Sequence, residues 1–167
     1  YVVSGGGEYM ELDKNLIDRI YLNEGEGNFK KINIGLPSTN GSCVSVLDIN
    51  KDGFDDLFVG SRSIPGSYGL SPYSFILLNN GNKKSFRVID KKRYGMITDS
   101  EWIDFNNDGL EDMILVGDWM PIRLLINNGD LSFSDATSEY GLNISIYHFY
   151  KVDKINKGVY FIEGTEK

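Results

Sequence analysis

Residues 48–56 read DINKDGFDD, and residues 104–112 repeat the pattern as DFNNDGLED. In both nonapeptides, oxygen-bearing side chains occupy positions 1, 3, 5 and 9, and a glycine occupies position 6. Ca²⁺ binds about six to eight oxygen ligands, and alternate residues of a tight loop can present such ligands to one centre. The glycine permits the sharp turn that brings position 9 back towards the ion. The two stretches therefore predict two calcium loops.

The predicted ligands are the side chains at positions 1, 3, 5 and 9 and the backbone carbonyl at position 7. In the first loop they are Asp48, Asn50, Asp52, Phe54 and Asp56. In the second loop they are Asp104, Asn106, Asp108, Leu110 and Asp112. The expected cofactor is therefore Ca²⁺ at two sites.

An EF-hand and a plain polar turn are the two alternatives to this interpretation. An EF-hand begins with the same pattern but needs a bidentate Glu at position 12, where this chain has Val59 and Leu115. The flanking residues are also strand-like rather than helical, as in the apolar run 57–59. A single such stretch is also compatible with a plain polar turn. The second copy, with the same downstream pattern, disfavours that alternative.

Composition limits the class of protein. Nineteen glycines and 13% aromatic residues are typical of many short strands joined by tight turns. A net charge of −7 without a basic stripe argues against a nucleic-acid partner, since phosphate neutralisation needs clustered Lys and Arg. No apolar run approaches the roughly 18 residues of a membrane-spanning helix. We therefore expect neither nucleic acid nor a membrane span.

Three Asn-rich turns give the repeat its period. They begin at Asn23, Asn79 and Asn127, and each follows an apolar run and precedes an aromatic residue. Asn-Gly between apolar runs is a strong hairpin signal. One unit is thus strand, calcium loop, strand, variable loop, strand, Asn-Gly turn and strand. Four antiparallel strands in about 50 residues are typical of a propeller blade.

The sequence therefore predicts an all-β fold, a partial β-propeller of four-stranded antiparallel blades with the calcium loops between strands 1 and 2. A partial blade is expected at 1–33, full blades at 43–90 and 98–137, and a partial, degenerate blade at 146–167. The last one has lost its loop oxygens, so no metal is expected there. We expect such an arc to pack against the remaining blades of a parent chain or to self-associate.

The two loops, the LNNG-type turns and the segment FSDATSEYGL (133–142) resemble FG-GAP or VCBS repeats. These repeats form the blades of integrin α-subunit propellers and of many bacterial surface proteins. The segments 56–74, 95–109 and 116–122 are further similar to bacterial VCBS-repeat proteins of the ASPIC and UnbV type. The resemblance implies an extracellular, calcium-stabilised scaffold that binds proteins or glycans.

The variable loops 5–18, 61–74 and 117–121 are expected on the face opposite the calcium loops. They carry the candidate ligand-binding residues Arg62, Tyr68, Tyr73 and Trp119. Arg and aromatic side chains are enriched at binding hot spots, but exposed aromatics also cap blade packing. Both roles stay open at this point.

A non-catalytic binding or adhesion scaffold is the favoured function. Low-affinity calcium loops fill where Ca²⁺ is about millimolar, so the expected location is extracellular or the cell surface. His148 is the only histidine, which leaves no His-centred triad. The alternative function is the propeller domain of a secreted carbohydrate-active enzyme.

Overall fold

The computed structural model describes residues 1–33, 35–81, 85–143, 147–156 and 159–165. Its regular structure is β-strand apart from one 3-10 turn at Lys14–Leu16. The strands form antiparallel sheets, so the prediction of an all-β, propeller-like fold is confirmed.

The first four-stranded sheet is a meander. A two-stranded hairpin of β1 (Ile20–Gly25) and β2 (Asn28–Ile32) precedes it. The sheet itself contains β3 (Asn40–Leu47), β4 (Asp56–Ser63), β5 (Ser74–Asn79) and β6 (Phe86–Lys92), in that spatial order. Each strand pairs antiparallel with its neighbours in sequence, which is the topology of a propeller blade.

The second sheet repeats this meander and adds a hairpin. The repeated strands are β7 (Met96–Ile103), β8 (Asp112–Met120), β9 (Arg123–Asn127) and β10 (Phe133–Asp135). The added hairpin consists of β11 (Tyr147–Asn156) and β12 (Val159–Thr165). It joins the sheet because β11 pairs antiparallel with the end of β8. The degenerate loop expected within 146–167 lies partly outside the described residues, which omit 157 and 158.

As predicted, each DxNxDG nonapeptide connects the first and second strands of a four-stranded sheet. The second strand of each sheet has a run of consecutive buried residues. Since successive side chains of a strand point to opposite sides, both faces of that strand are buried. Phe58 packs into the cluster between the two sheets, together with Met113 and Leu115. Its neighbours Leu57 and Val59 belong to a separate cluster on the far side of the first sheet. The sheets are therefore stacked layers, as propeller blades are.

Glycine is required where the stacked strands come closest. A Cβ added at Gly60 would meet Cys43 Sγ at 2.5 Å and Ile97 Cγ2 at 2.9 Å. A Cβ added at Gly117 would collide with the backbone carbonyl oxygen of Met96 on the paired strand. A backbone atom cannot move away as a flexible side-chain end can.

The N-terminal segment is attached to the fold through Asp18. Tyr1 Oη donates to Asp18 Oδ2 at 2.7 Å, and the Ser4 backbone N–H donates to Oδ1 at 2.7 Å. A backbone bridge between Val2 and Arg19 runs alongside. Burial raises the pKa of Asp18 to about 6, while the hydrogen bonds from Ser4 and Tyr1 and the nearby Arg19 charge oppose that rise.

The Gly117 contact gives a stability prediction. We expect Gly117→Ala to lower the free energy of unfolding by on the order of 2–3 kcal/mol, because the new methyl displaces the Met96 carbonyl from its strand. Gly35→Ala is the matched control, since no atom lies within 4 Å of a Cβ built there. Urea unfolding curves measure both variants. Equal midpoints for the two variants would contradict the packing described for Gly117.

Asp18 gives a pH prediction. Its folded pKa lies above its unfolded value, so its contribution to stability is complete below about pH 4 and is lost as the pH rises through about 6. In the presence of a chelator, we expect titration of Asp18 to lower the unfolding free energy by on the order of 1 kcal/mol between about pH 5 and about pH 7.5. Asp18→Asn should remove that part of the slope. An unchanged slope in the variant would show that other groups cause it.

Candidate functional site

The first predicted calcium loop, residues 48–56, is wound around the carboxylate of Asp48. The backbone N–H of Asp52 donates to Asp48 Oδ1 at 3.0 Å, and that of Gly53 donates to Oδ2 at 2.8 Å. Gly53 has a φ of 87°, a conformation that glycine adopts without steric cost. The side chain of Asp48 at position 1 therefore holds the backbone of Asp52 and Gly53, at positions 5 and 6, close to it.

Positions 3 and 5 are in direct contact within this turn. Asn50 Nδ2 donates to Asp52 Oδ2 at 2.9 Å, and Asn50 Oδ1 accepts from the Asp52 backbone N–H at 3.2 Å. Asp52 Oδ1 accepts from the backbone N–H of Phe54 at 2.9 Å. The structure thus brings together the predicted ligands at positions 1, 3 and 5.

Position 9 differs from the other positions because Asp56 is fully buried. Its Oδ2 accepts from the backbone N–H of Ile49 at 2.9 Å, and its Oδ1 accepts from that of Asn79 at 2.7 Å. Asn79 Nδ2 donates in turn to the carbonyl oxygen of Asp55 at 3.2 Å, and Asn79 Oδ1 accepts from the Gly81 N–H. One carboxylate therefore joins the calcium loop to the Asn-Gly turn after β5.

The second loop repeats this network atom for atom. Asp104 accepts from the N–H groups of Asp108 and Gly109, at 3.0 and 3.1 Å. Asn106 Nδ2 donates to Asp108 Oδ2 at 2.8 Å, and the Leu110 N–H donates to Asp108 Oδ1 at 2.7 Å. The buried Asp112 accepts from the N–H groups of Phe105 and Asn127, at 2.9 and 2.8 Å. Two stretches 56 residues apart thus fold into one local structure.

The buried carboxylate at the last position of each loop lies in surroundings that disfavour its negative charge. Burial raises the pKa of Asp56, and the charges of Asp52 and Asp48 raise it further, while two backbone N–H groups act in the opposite direction. The pKa of Asp112 is raised in the same way, by burial first and also by Asp108. Negative charge is therefore concentrated where a positive ion would lower the energy.

The donor set fits Ca²⁺ in its chemistry. Carboxylate, amide and carbonyl oxygens are the ligands of a hard cation, and each carboxylate oxygen has a second lone pair beyond the one that accepts an N–H. Within the described residues, however, no three Asp, Glu, His or Cys side chains are already gathered around one point. Binding of Ca²⁺ by the two loops stays a prediction.

The two loops also touch each other. Lys51, at position 4 of the first loop, donates from Nζ to the carbonyl oxygen of Gly109 in the second loop at 2.9 Å. This contact holds the two loops side by side at one end of the stacked sheets.

Three of the four predicted ligand residues lie together at the opposite end of the strands. The rings of Tyr68 and Trp119 meet edge to face, with centroids 5.2 Å apart. Arg62 Nε donates to Asp118 Oδ2 at 2.7 Å, and Asp118 itself is buried. Arg62 and Tyr68 line a cleft of ≈ 830 Å³ whose other walls include the glycines at 5–7. We call it the aromatic cleft.

Trp119 differs from its sequence prediction. It lies within β8 rather than in a loop, and the neighbouring Met120 is buried. Its φ is 52°, in the left-handed region that a bulky residue adopts at a cost in energy. Trp119 is nevertheless 39% exposed.

The structure places Tyr73 in a separate cavity. Lys91 Nζ lies 4.6 Å and the Arg93 guanidinium 4.4 Å from the centre of the Tyr73 ring. These three residues line a cavity of ≈ 200 Å³ next to the aromatic cleft, which we call the cationic cavity. Sequence reasoning missed Lys91 and Arg93, although the run of three cations at 91–93 was a visible signal.

Comparison with protein families agrees with the loops and sheets. Residues 2–59 match the FG-GAP-like repeat. The chain contains an FG-GAP-like repeat. The match spans the first calcium loop and ends within β4. The FG-GAP/VCBS resemblance is confirmed at that level, while the ASPIC and UnbV subtype stays a prediction.

The other comparisons add no relative. Neither the curated proteins nor the solved structures gave a match to this chain. In the part of the chain that the structure describes, no helix is long and apolar enough to cross a membrane.

The buried carboxylate gives a prediction that separates its structural role from metal binding. In chelator, we expect Asp56→Ala to lower the unfolding free energy by roughly 3 kcal/mol, because two buried backbone N–H groups lose their acceptor. Asp52→Ala is the control, since Asp52 is exposed and its loss should change stability by less than about 1 kcal/mol. Chemical denaturation measures both. Equal effects would contradict the structural role of the two hydrogen bonds that Asp56 accepts.

Proposed function

We propose that this chain is part of a calcium-stabilised β-propeller of a secreted or cell-surface protein, where it acts as a non-catalytic scaffold that binds a protein or glycan. The observation that carries the proposal is the repeated loop. The same side chains accept the same backbone N–H groups in two loops at the same end of two stacked sheets. A turn that served only to reverse the chain would not need three acidic groups twice over.

The distance between the predicted calcium loops and the predicted ligand surface supports a scaffold role for calcium. Asp56 and Arg62 lie at opposite ends of β4, six residues apart. At about 3.3 Å per residue, the calcium loop and the ligand surface are about 20 Å apart. Calcium would therefore act by stabilising the blades, and it would not touch a ligand bound at the aromatic cleft.

The runner-up is a propeller domain of a secreted carbohydrate-active enzyme. Glycoside hydrolysis commonly uses two carboxylates that flank the reacting bond. The described residues that line the aromatic cleft supply Arg, Tyr, Asn, Ser and Thr side chains and glycine backbone instead. We therefore favour a binding function over a catalytic one.

We also propose that these blades belong to a longer propeller or associate with another copy. Propellers close with typically about four to eight blades, and the described part of this chain holds two four-stranded sheets and two hairpins. Additional blades would bury the remaining outer surfaces in the same way as the two stacked sheets bury Phe58 and Met113.

Calcium titration tests the proposal. We expect two binding sites by calorimetry and a raised melting temperature, with each site adding roughly 2.7 kcal/mol at about 100 times its Kd. Asp52→Ala and Asp108→Ala should each remove one site, because each deletes the position 5 carboxylate. Asp55→Ala is the matched control, since it deletes a neighbouring charge outside the predicted ligand set. No heat of binding, or a double variant that still binds two ions, would refute the calcium sites.

A further inference from the structure

We propose that the surface around the 61–74 segment binds an acidic polysaccharide, a chain of sugar rings that carry carboxylate groups. This inference rests on the proposed function as a binding scaffold and names the chemistry of its ligand. It is carried by two adjacent recesses that each combine aromatic and cationic side chains.

The aromatic cleft has the groups that a sugar ring needs. Tyr68 is 63% exposed, and its edge-to-face contact with Trp119 fixes the angle between the two rings. The electron-rich face of an aromatic ring attracts the C–H groups of a sugar. Around these rings, the walls are polar or glycine backbone, as at Gly7, Asn40 and Thr98. Such walls suit hydroxyl groups better than an apolar side chain.

Arg62 adds recognition of a negative charge. Its guanidinium has five N–H donors, and the one at Nε is used by the buried Asp118. The Arg62 side chain is 54% exposed, so Asp118 holds it in place while its outer part faces solvent. A planar carboxylate accepts two parallel hydrogen bonds from a guanidinium, which makes it the natural complement of Arg62.

The neighbouring cationic cavity contains two further positively charged side chains. Lys91 and Arg93 both lie over the Tyr73 ring, which restrains them by cation–π attraction. Thr39 Oγ1 is buried beside this cavity and has no hydrogen-bond partner among the described residues. Glu11 is the one carboxylate among the described lining residues, so cations outnumber anions in this cavity. The lining of this cavity is therefore net positive, on a chain of net charge −7.

The two recesses are adjacent, which favours an extended ligand. Both are lined by Asn40 and Ser63, and Asn40 Nδ2 donates to Ser63 Oγ at 2.6 Å on the partition between them. A compact ligand would occupy one recess. A chain of linked sugars can place one ring against Tyr68 and Trp119 and a further carboxylate near Lys91 and Arg93.

The backbone strain at Trp119 is consistent with a binding role. A bulky residue held in the left-handed region costs on the order of 1–3 kcal/mol, and such residues cluster at functional sites. An Asn at this position would adopt the same φ more readily. The chain instead keeps a large, partly exposed ring there.

An acidic peptide is the competing ligand. Its carboxylates would satisfy Arg62, but protein hot spots are usually apolar or aromatic anchors inserted into desolvated pockets. The described walls of the aromatic cleft carry Gly, Ser, Asn and Thr rather than aliphatic side chains. The observations therefore favour the saccharide.

Calorimetry on the intact chain, with and without Ca²⁺, tests the inference. The probes are hexagalacturonate, the neutral maltohexaose and hexaglutamate. We expect hexagalacturonate to bind at least about tenfold more tightly than either of the others. Arg62→Gln and Trp119→Asn should each weaken it about tenfold. Arg62→Gln should also lower the melting temperature, because the buried Asp118 loses its guanidinium partner.

A steric variant gives a second measurement. No atom lies within 4 Å of a Cβ built at Gly7, so Gly7→Leu should fold normally and project into the cleft. Gly35→Leu is the matched control away from the cleft, with equally open surroundings. We expect hexagalacturonate binding to be lost in the first variant and kept in the second. Equal binding by both variants would show that the cleft is not the site.

The remaining outcomes separate this inference from the proposed function. Equal affinity for maltohexaose would refute carboxylate recognition, and equal affinity for hexaglutamate would identify an acidic peptide as the ligand. Two calcium sites without binding of any probe would overturn the polysaccharide and leave the calcium scaffold intact. Hexagalacturonate binding without calcium sites would support the polysaccharide and refute the calcium sites.

Discussion

The buried carboxylate at the last position of each loop is the interaction on which the blades depend. Asp56 accepts from a loop amide and from the amide of Asn79, so the loop between the first and second strands is joined to the turn after the third. A buried N–H without an acceptor costs about 1–3 kcal/mol, and each of these carboxylates satisfies two. Asp112 does the same in the second sheet. The candidate metal loop and the strands behind it are therefore one hydrogen-bonded unit.

Much of this structure could be predicted because its signals are local. The nonapeptide spacing located both loops and the strands on either side of them, since position along a tight loop decides which side chains face inward. The Asn-Gly turns gave the hairpins for the same reason. The predicted ligands at positions 1, 3 and 5 are in contact within each loop, as their spacing implies.

The parts that could not be predicted depend on residues distant in the sequence. The partner of Asp56 is Asn79, 23 residues away, and no local pattern gives that pairing. Tyr73 was assigned to the same surface as Trp119, but a strand pairing places it instead beside Lys91. The left-handed conformation of Trp119 arises inside a paired strand, where a hydrophobicity pattern gives no indication of it.

The two repeats are joined by contacts between unlike residues. Arg62 and Asp118 are equivalent positions in the two units, 56 residues apart, yet they pair with each other across the sheets. Lys51 makes the corresponding link at the loop end, to Gly109. Two stacked copies with the same residue at 62 and 118 could not form this ion pair. The contact from Lys51, in contrast, is made to a backbone carbonyl and does not depend on the side chain at position 109.

The nine-residue spacing of the loops has an evolutionary consequence. One residue added between Asp48 and Asp56 would move the carboxylate away from both of its amides, so that end of each blade tolerates no change of length. The 61–74 segment at the other end connects β4 to β5 over a longer stretch, and doubling the length of a loop costs only about 0.6 kcal/mol. Insertions and substitutions can therefore accumulate there while the blade stays folded. The surface at that end of the blades can therefore change while the hydrogen-bonded framework at the loop end stays the same.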